Sequence, residues 1–261
     1  MPVATTKRGP IAYDIVGNGP AMVMSSGLGG IRQAWAHVIP LLAAKHTVVT
    51  YDHVGTGESG RRTTSHDVTS MAQDVSELLR VLGLGEIDFV GHALGAAIGL
   101  DLASRSLWPI RRLVLASGFS ASDTYMRRCL ELRKGILAHQ GIEAFCAATP
   151  LFLFPGWWIN ANADQLDAKA RQAIAAFPGH EITLARIAGL LEFDATDRLH
   201  RIQQPALIIA AANDGFTAPS TSQKLAAELP LGAFMTMRDG AHMVAELLPE
   251  DFAQLVSDFL T

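Results

Sequence analysis

Residues Asp88-Phe89-Val90-Gly91-His92-Ala93-Leu94-Gly95-Ala96 run from an apolar segment through a tight Gly-x-x-x-Gly turn, and Ala96, Ala97, Ile98, Leu100, Leu102 and Ala103 then open a helix. A strand, a strained turn and a helix in this order aim the middle side chain of the turn into a site, a common way of presenting a nucleophile. Gly91 and Gly95 suit such a bend because any larger side chain would crowd it. The middle residue is Ala93, and an alanine has no lone pair to attack with. Asp214 follows the apolar run Ala206 to Ala210, in Ala211-Ala212-Asn213-Asp214, and His242 stands in Gly240-Ala241-His242-Met243 ahead of a final helix. Taken separately, Asp214 reads as a helix cap or turn residue and His242 as a satisfied loop histidine. Their joint spacing behind the turn favours a His–Asp dyad that moves protons. Ser25-Ser26-Gly27-Leu28-Gly29-Gly30 adds a glycine-rich turn, and the backbone N–H groups of Leu28 and Leu94 would face developing negative charge. A plain turn or a phosphate loop is the competing reading, but the Walker Lys and Ser/Thr are missing, which argues against nucleotide binding.

These residues need strands that end where they begin. Short apolar runs recur at Ala21 to Met24, Thr47 to Tyr51, Ile87 to Val90, Leu113 to Ala116 and Ala206 to Ala210, the pattern of strands buried on both faces. Between them Val68, Met71, Val75, Leu78, Leu79 and Leu82 fall three or four apart, with Gly83 as a stop. The alternation predicts a doubly wound, mostly parallel α/β sheet. Ala12 to Ile15 reads as an antiparallel strand near the amino end and Ala233 to Met237 as the last strand. Phe252, Leu255, Val256, Phe259 and Leu260 mark a closing amphipathic helix. Residues 120–200 keep helical spacing with no convincing strand, so a helical cap is expected there, inserted into a core of 1–119 and 201–261. Within it, Leu151-Phe152-Leu153-Phe154-Pro155-Gly156-Trp157-Trp158 is expected to be cap core and, over the sheet, a pocket wall. Arg127 and Arg128 could pair with a carboxylate, but adjacent residues on a helix point apart and solvated surface is favoured. Tyr51-Asp52-His53-Val54-Gly55-Thr56-Gly57-Glu58-Ser59 reads as a scaffolding loop.

The 261 residues are 49% hydrophobic, enough for a large core without disulfides or metals. A formal charge of -4, from 21 basic against 25 acidic residues with no basic run, removes the drive for binding nucleic acid. Met1 to Ala12 lacks the apolar segment of a secretory signal, and no stretch reaches roughly 18 consecutive apolar residues. A cytoplasmic protein without membrane association is expected. Cys129 and Cys146 are expected to be buried reduced thiols. The nine histidines show no His-Glu-x-x-His pattern, so neither a metal nor another cofactor is expected. The expected partner is a small-molecule substrate, with a homodimer left open.

In their order of turn, acid and histidine, these motifs resemble the α/β-hydrolase superfamily over the whole chain. From about Gly19 to the carboxyl end the wording resembles one branch, the RutD family. The resemblance rests on Ser26-Gly27-Leu28-Gly29-Gly30, Tyr51-Asp52 with Gly55-Thr56-Gly57, and Gly91-His92-Ala93-Leu94-Gly95-Ala96. Arg127-Arg128-Cys129 and Pro150-Leu151-Phe152-Leu153-Phe154-Pro155 carry it into the cap. It includes alanine at the elbow in place of serine, and it implies hydrolysis of aminoacrylate, or of a carbamate, in pyrimidine degradation. His242, oriented by Asp214, would then activate water, while the Leu28 and Leu94 N–H groups hold a carboxylate or an oxyanion. Asn213-Asp214-Gly215-Phe216 and Ala241-His242-Met243-Val244 read more like generic hydrolases. Three other readings stay open. One is a serine hydrolase of lactones, small esters or amides in which alanine replaced serine at position 93. The others are a ligand-binding protein that kept the pocket without turnover, and cofactor-free oxygen chemistry on a heteroaromatic ring.

Overall fold

The computed structural model describes residues 2–61 and 65–261. Its strands are β1 (Val3–Thr6), β2 (Gly9–Val16), β3 (Ala21–Ser25), β4 (Thr47–Tyr51), β5 (Ile87–His92), β6 (Ile110–Ala116), β7 (Ala206–Ala211) and β8 (Gly232–Met237). They form one sheet in the order β1-β2-β4-β3-β5-β6-β7-β8. β2 pairs antiparallel with both β1 and β4, and every pair from β4–β3 to β7–β8 is parallel. The helices are α1 (Ile39–Leu42), α2 (Val68–Val81), α3 (Leu94–Ser104), α4 (Thr124–Leu153), α5 (Gly156–Ala161), α6 (Ala163–Ala175), α7 (His180–Glu192), α8 (Pro219–Glu228), α9 (Val244–Leu247) and α10 (Pro249–Leu260).

Alternate residues of each central strand feed two cores. Val23, Val49, Phe89, Leu113, Leu115 and Ile208 pack with Met71, Val75 and Leu78 of α2 and Leu100 of α3. Met22, Met24, Val48, Val90, Val114 and Ile209 face the other way, onto Trp35, Phe252 and Val256. Burial on both faces is what turns these strands into unbroken apolar runs in the sequence. β1 escapes that reading: it is four residues long and alternates exposed with buried side chains at the sheet edge.

No strand occurs among residues 120–200. α4 to α7 fill this stretch, and an isolated bridge between Ala121 and Asp194 ties its two ends. Asp123 caps α4 by accepting the Met126 N–H at 2.9 Å. α4 has the length of a bilayer-crossing helix, with an 18-residue window of hydropathy 1.3, but Gly141, at φ 87°, kinks it. Cys129 and Cys146 are buried and free. The 151–158 cluster differs from the expected cap core. Leu151 and Trp157 face outward at 72% and 57% exposure, Phe154 stacks on Trp158, and Phe152 turns toward the sheet to meet Phe216. The turn at Pro155-Gly156 splits the cluster into two short faces, so one core cannot bury it all.

The β5–α3 junction is the tightest point in the fold. A Cβ at Gly91 would lie 2.4 Å from the Gly95 carbonyl oxygen, and a Cβ at Gly95 would lie 2.0 Å from that of Ser25. Both approaches are shorter than any carbon–oxygen contact allows, so glycine is obligatory at both positions. Between them Ala93 takes φ 51° and ψ -108°, outside the regions open to L-residues at low energy. Gly95→Ala is expected to cost about 3 kcal/mol or more, because the clash is with backbone that cannot swing aside. Gly29→Ala, whose Cβ meets nothing within 4 Å, should stay within about 0.5 kcal/mol of the parent. Urea unfolding of the two variants checks this, and coincident midpoints would contradict it.

Candidate active site

Asp214 leaves the end of β7 with its side chain buried and fully engaged. Its Oδ2 accepts the Ser117 hydroxyl at 2.8 Å, and its Oδ1 accepts the N–H groups of Phe216 and Thr217 at 2.8 and 2.9 Å. The Nδ1 of His242 sits 2.9 and 3.1 Å from the two oxygens. Burial pushes the Asp214 carboxyl up, but the adjacent imidazole, the Phe216 amide and the Ser117 hydroxyl together hold it below the usual carboxylate range. An ionised carboxylate can only accept, so Nδ1 of His242 carries a proton, and in the neutral ring the lone pair then falls on Nε2, on the far side of the ring. The two loops are also stitched through backbone. Asn213 accepts the Ala241 N–H at 2.9 Å, while Asp239 accepts from the Asn213 amide and the Gly240 N–H.

His92, beside the elbow residue, connects this pair to the bend. Its Nε2–H donates to the His242 carbonyl at 2.8 Å, and the two imidazoles lie 4.8 Å apart. Burial, reinforced by the neighbouring His242, lowers the His92 pKa to about 3, so the ring stays a neutral donor. The glycine-rich turn closes from the other side: a Cβ at Gly27 would stand 3.7 Å from that of Ala93. Leu94 is the first residue of α3, where an N–H has no partner within the helix. The Gly30 N–H closes the turn onto the Gly27 carbonyl at 3.0 Å, a bond that does not use the Leu28 N–H.

Neighbouring loops hold that turn from behind. Arg186 of α7, fully buried, donates to the Leu28 and Val54 carbonyls at 3.2 and 3.0 Å and to Thr56 Oγ1 at 2.7 Å. The His53 N–H donates to the Gly30 carbonyl at 2.8 Å. Asp52 accepts the Arg32 N–H at 2.9 Å and pairs with its guanidinium, which also reaches Asp14 and Glu58. The 51–59 loop thus braces the turn.

Phe216 covers the far side of His242, edge to face at 5.0 Å, and Phe152 packs against Phe216 at 6.4 Å. A cavity of about 20 Å³, room for one water molecule, touches His242, His92, Ser26 and Trp35. Ser26 Oγ and Trp35 Nε1 are both buried without a partner. Ala93, His242 and Asp214 therefore converge with the Leu28 turn and Leu94. Arg127 and Arg128 stay on the cap surface, Arg127 donating to the Leu191 carbonyl at 2.6 Å. Sequence reading missed His92, Ser117, Phe216 and Arg186. It also missed Arg133, although Met126, Cys129, Leu130, Arg133 and Leu137 repeat at helical spacing and form the buried stripe of α4.

The α/β hydrolase fold family model matches residues 20–247. A protein of Azorhizobium caulinodans named "Putative carbamate hydrolase RutD" is 37% identical over 99% of this chain and 98% of its own length. A protein of the same name from Caulobacter vibrioides (strain NA1000 / CB15N) is 39% identical over 97% of this chain and 92% of its own. Among solved structures, an enol-lactonase from Burkholderia xenovorans LB400 superposes with a TM-score of 0.90 at 22% identity, covering 99% of both chains. A hydrolase from Pseudomonas aeruginosa PA01 gives 0.90 at 24% identity over 99% of this chain and 97% of that one. The structural likenesses establish the fold, and the family match with the full-length relatives establishes descent: the chain belongs to the α/β-hydrolase fold family and, within it, to the RutD family.

Proposed function

We propose that the protein is a hydrolase of a small C–N substrate such as 3-aminoacrylate, or a carbamate, acting by water attack assisted by His242 and Asp214 with no covalent enzyme intermediate. The observation that carries this reading is the combination of a fully hydrogen-bonded His–Asp pair with a strained elbow that ends in a methyl group. The carbamate hydrolase name borne by the relatives supports the substrate class.

An acyl-enzyme route needs a hydroxyl or thiol at the elbow, and Ala93 supplies none. Aminoacrylate does not need one. Protonation of its enamine at the carbon next to the carboxylate gives an iminium at C3. Water adds there while His242 Nε2 takes its proton. The imidazolium then hands that proton to the amine, and the carbinolamine expels ammonia and gives its hydroxyl proton to solvent, replacing the one taken up at carbon and leaving malonic semialdehyde. The balance is one water consumed and one ammonia released. Asp214 keeps Nδ1 protonated and steadies the imidazolium that forms in this step. The cavity beside His242 supports the same reading, because Ser26 Oγ and Trp35 Nε1 offer partners for a water there. The N–H groups of Leu28 and Leu94 then stabilise negative charge that develops on the substrate. In the related picture for a carbamate, the same water attacks the carbonyl carbon.

His242→Ala is expected to slow ammonia release from freshly generated aminoacrylate by about 10²- to 10⁴-fold, the usual worth of a general base. Turnover at the parental rate would remove the proposal. Asp214→Asn tests the pair through stability. A carboxyl held below its unfolded value contributes stability above about pH 4, where it is ionised in both states, and loses that contribution as pH falls through the folded pKa. The gap in unfolding free energy between parent and Asp214→Asn should therefore be widest near pH 6 and close toward pH 2; a gap independent of pH would show that ionisation of Asp214 contributes nothing. Ala93→Ser probes the alternative of a serine hydrolase altered at this position. Strong activity on activated esters with stoichiometric phosphonate labelling would favour that alternative, whereas weak ester activity with ammonia release lost is expected here.

A further inference from the structure

We propose that Arg133 of the cap helix α4 is a carboxylate-binding subsite, which makes the substrate a short acid anchored at one end by the cap and attacked at the other beside His242. This deepens the reading above and rests on it for the reaction, but not for the presence of the anion site.

The argument starts from a cation that has no counter-ion. Arg133 is 5% exposed and makes no ion pair with any described residue. Its protein hydrogen bond runs from Nη2 to the neutral hydroxyl of Thr149 at 3.2 Å, and its Nε–H is buried without a partner. Around it stand three phenyl rings, with Cζ 4.9 Å from the centroid of Phe145, 5.6 Å from Phe152 and 5.7 Å from Phe216. Ring faces recover part of the lost hydration of a guanidinium, but they leave its in-plane donors unused. Burial draws its pKa down to about 10, with only the Cys129 and Cys146 thiols opposing. A buried, uncompensated charge is costly, and a protein that retains one gains from what comes to pair with it.

Arg186 is the internal control. It is equally buried and its Nε–H is likewise without a partner, yet two carbonyls and a hydroxyl take both of its terminal amino groups. Arg133 lacks such acceptors and stands one phenyl ring from the proton-moving group: its Cζ lies 5.7 Å from the Phe216 ring, which lies 5.0 Å from the His242 ring. Arg133 and the His242 ring are thus no farther apart than those two distances together, a span of the order of a short acid with a hydrogen bond at either end, each about 2.8 Å long. The half-buried Phe152 is the wall of the box that borders solvent. A planar fork fits a carboxylate, and a neutral amide of the same shape cannot exploit it. This placement moves the carboxylate away from the Leu28 and Leu94 N–H groups, where sequence reading put it, and leaves those groups free for developing charge.

The test is thermal unfolding of the intact protein with sodium propionate or with isosteric propionamide, at ionic strength matched with sodium chloride. Propionate should raise the parental Tm by linkage while propionamide does not. Arg133→Met should weaken propionate binding about 10- to 100-fold, abolishing the shift, and should itself unfold no earlier than the parent because an unpaired buried cation is gone. Equal shifts with acid and amide, or a full propionate shift in Arg133→Met, would overturn the assignment. Arg133→Lys keeps the charge without the fork and covers the case in which the methionine variant does not fold. Its propionate affinity should fall at least about tenfold, and undiminished affinity would count against the subsite. Because propionate is not turned over, the two proposals fail separately. Unchanged ammonia release in His242→Ala would remove the reaction and leave the anion site, whereas propionate binding indifferent to Arg133 would do the reverse.

Discussion

The approach of Gly95 to the Ser25 carbonyl is the constraint from which the rest of the site follows. It lets the amino end of α3 close onto the loop after β3, and that closure throws Ala93 to φ 51° and brings the Leu28 turn against the bend. Holding a non-glycine residue there costs of order 1–3 kcal/mol. A methyl group derives no chemical benefit from the strain. The gain lies with its neighbours: His92 is turned to grip the His242 carbonyl, and the Leu94 N–H, first in its helix, is left without a partner inside it. The strain therefore positions an imidazole and a polar backbone edge even where the residue at its centre takes no part.

How much of this could be read in advance depended on where each signal is written. Strands buried on both faces announce themselves as apolar runs, so the ends of β5 and β7, and with them Ala93 and Asp214, were legible. His242 followed from order along the chain. β1 was not legible, since four residues with alternating exposure carry too little periodicity. The cap was harder still. In α4 the kink at Gly141 resets the helical phase, and the paired Arg127-Arg128 attracted attention because it is conspicuous, although both side chains lie on the surface. Arg133 was hidden by its type: a charged residue on an apolar stripe contradicts the pattern that would reveal it. Such contradictions are where a local rule yields to a functional demand.

Two buried arginines divide the labour of the cap. Arg186 spends its terminal donors on the core, gripping the Leu28 carbonyl and tying α7 to the glycine-rich turn. Arg133 faces the same interior with its donors largely unspent. The contrast matters because burial alone lowers both guanidiniums to about 10 and cannot distinguish a strut from a receptor. Hydrogen-bond accounting does distinguish them. Both keep a buried Nε–H without a partner, but Arg186 engages three acceptors through its two terminal nitrogens, whereas Arg133 has one weak hydroxyl contact and a terminal arm left to receive a partner.

The missing hydroxyl at position 93 also sets a quantitative limit on the chemistry. Removing the nucleophile from a serine hydrolase costs about a millionfold in turnover, roughly 8 kcal/mol of barrier. A scaffold that kept its oxyanion turn and His–Asp pair would retain about a thousandfold over water. That residue of rate enhancement is too small to sustain the hydrolysis of unactivated esters or amides. It is adequate for an enamine, whose protonated form is already an electrophile and whose barrier in water is correspondingly low. On the proposed reading, the enzyme's work shifts from creating a nucleophile to selecting an acid and aligning one water with one imidazole, and positioning of that kind can be worth 7–11 kcal/mol at its best. Such a division favours a binding site that recognises its substrate by charge at a fixed distance from the proton-transfer group, which is the arrangement that Arg133, Phe216 and His242 present.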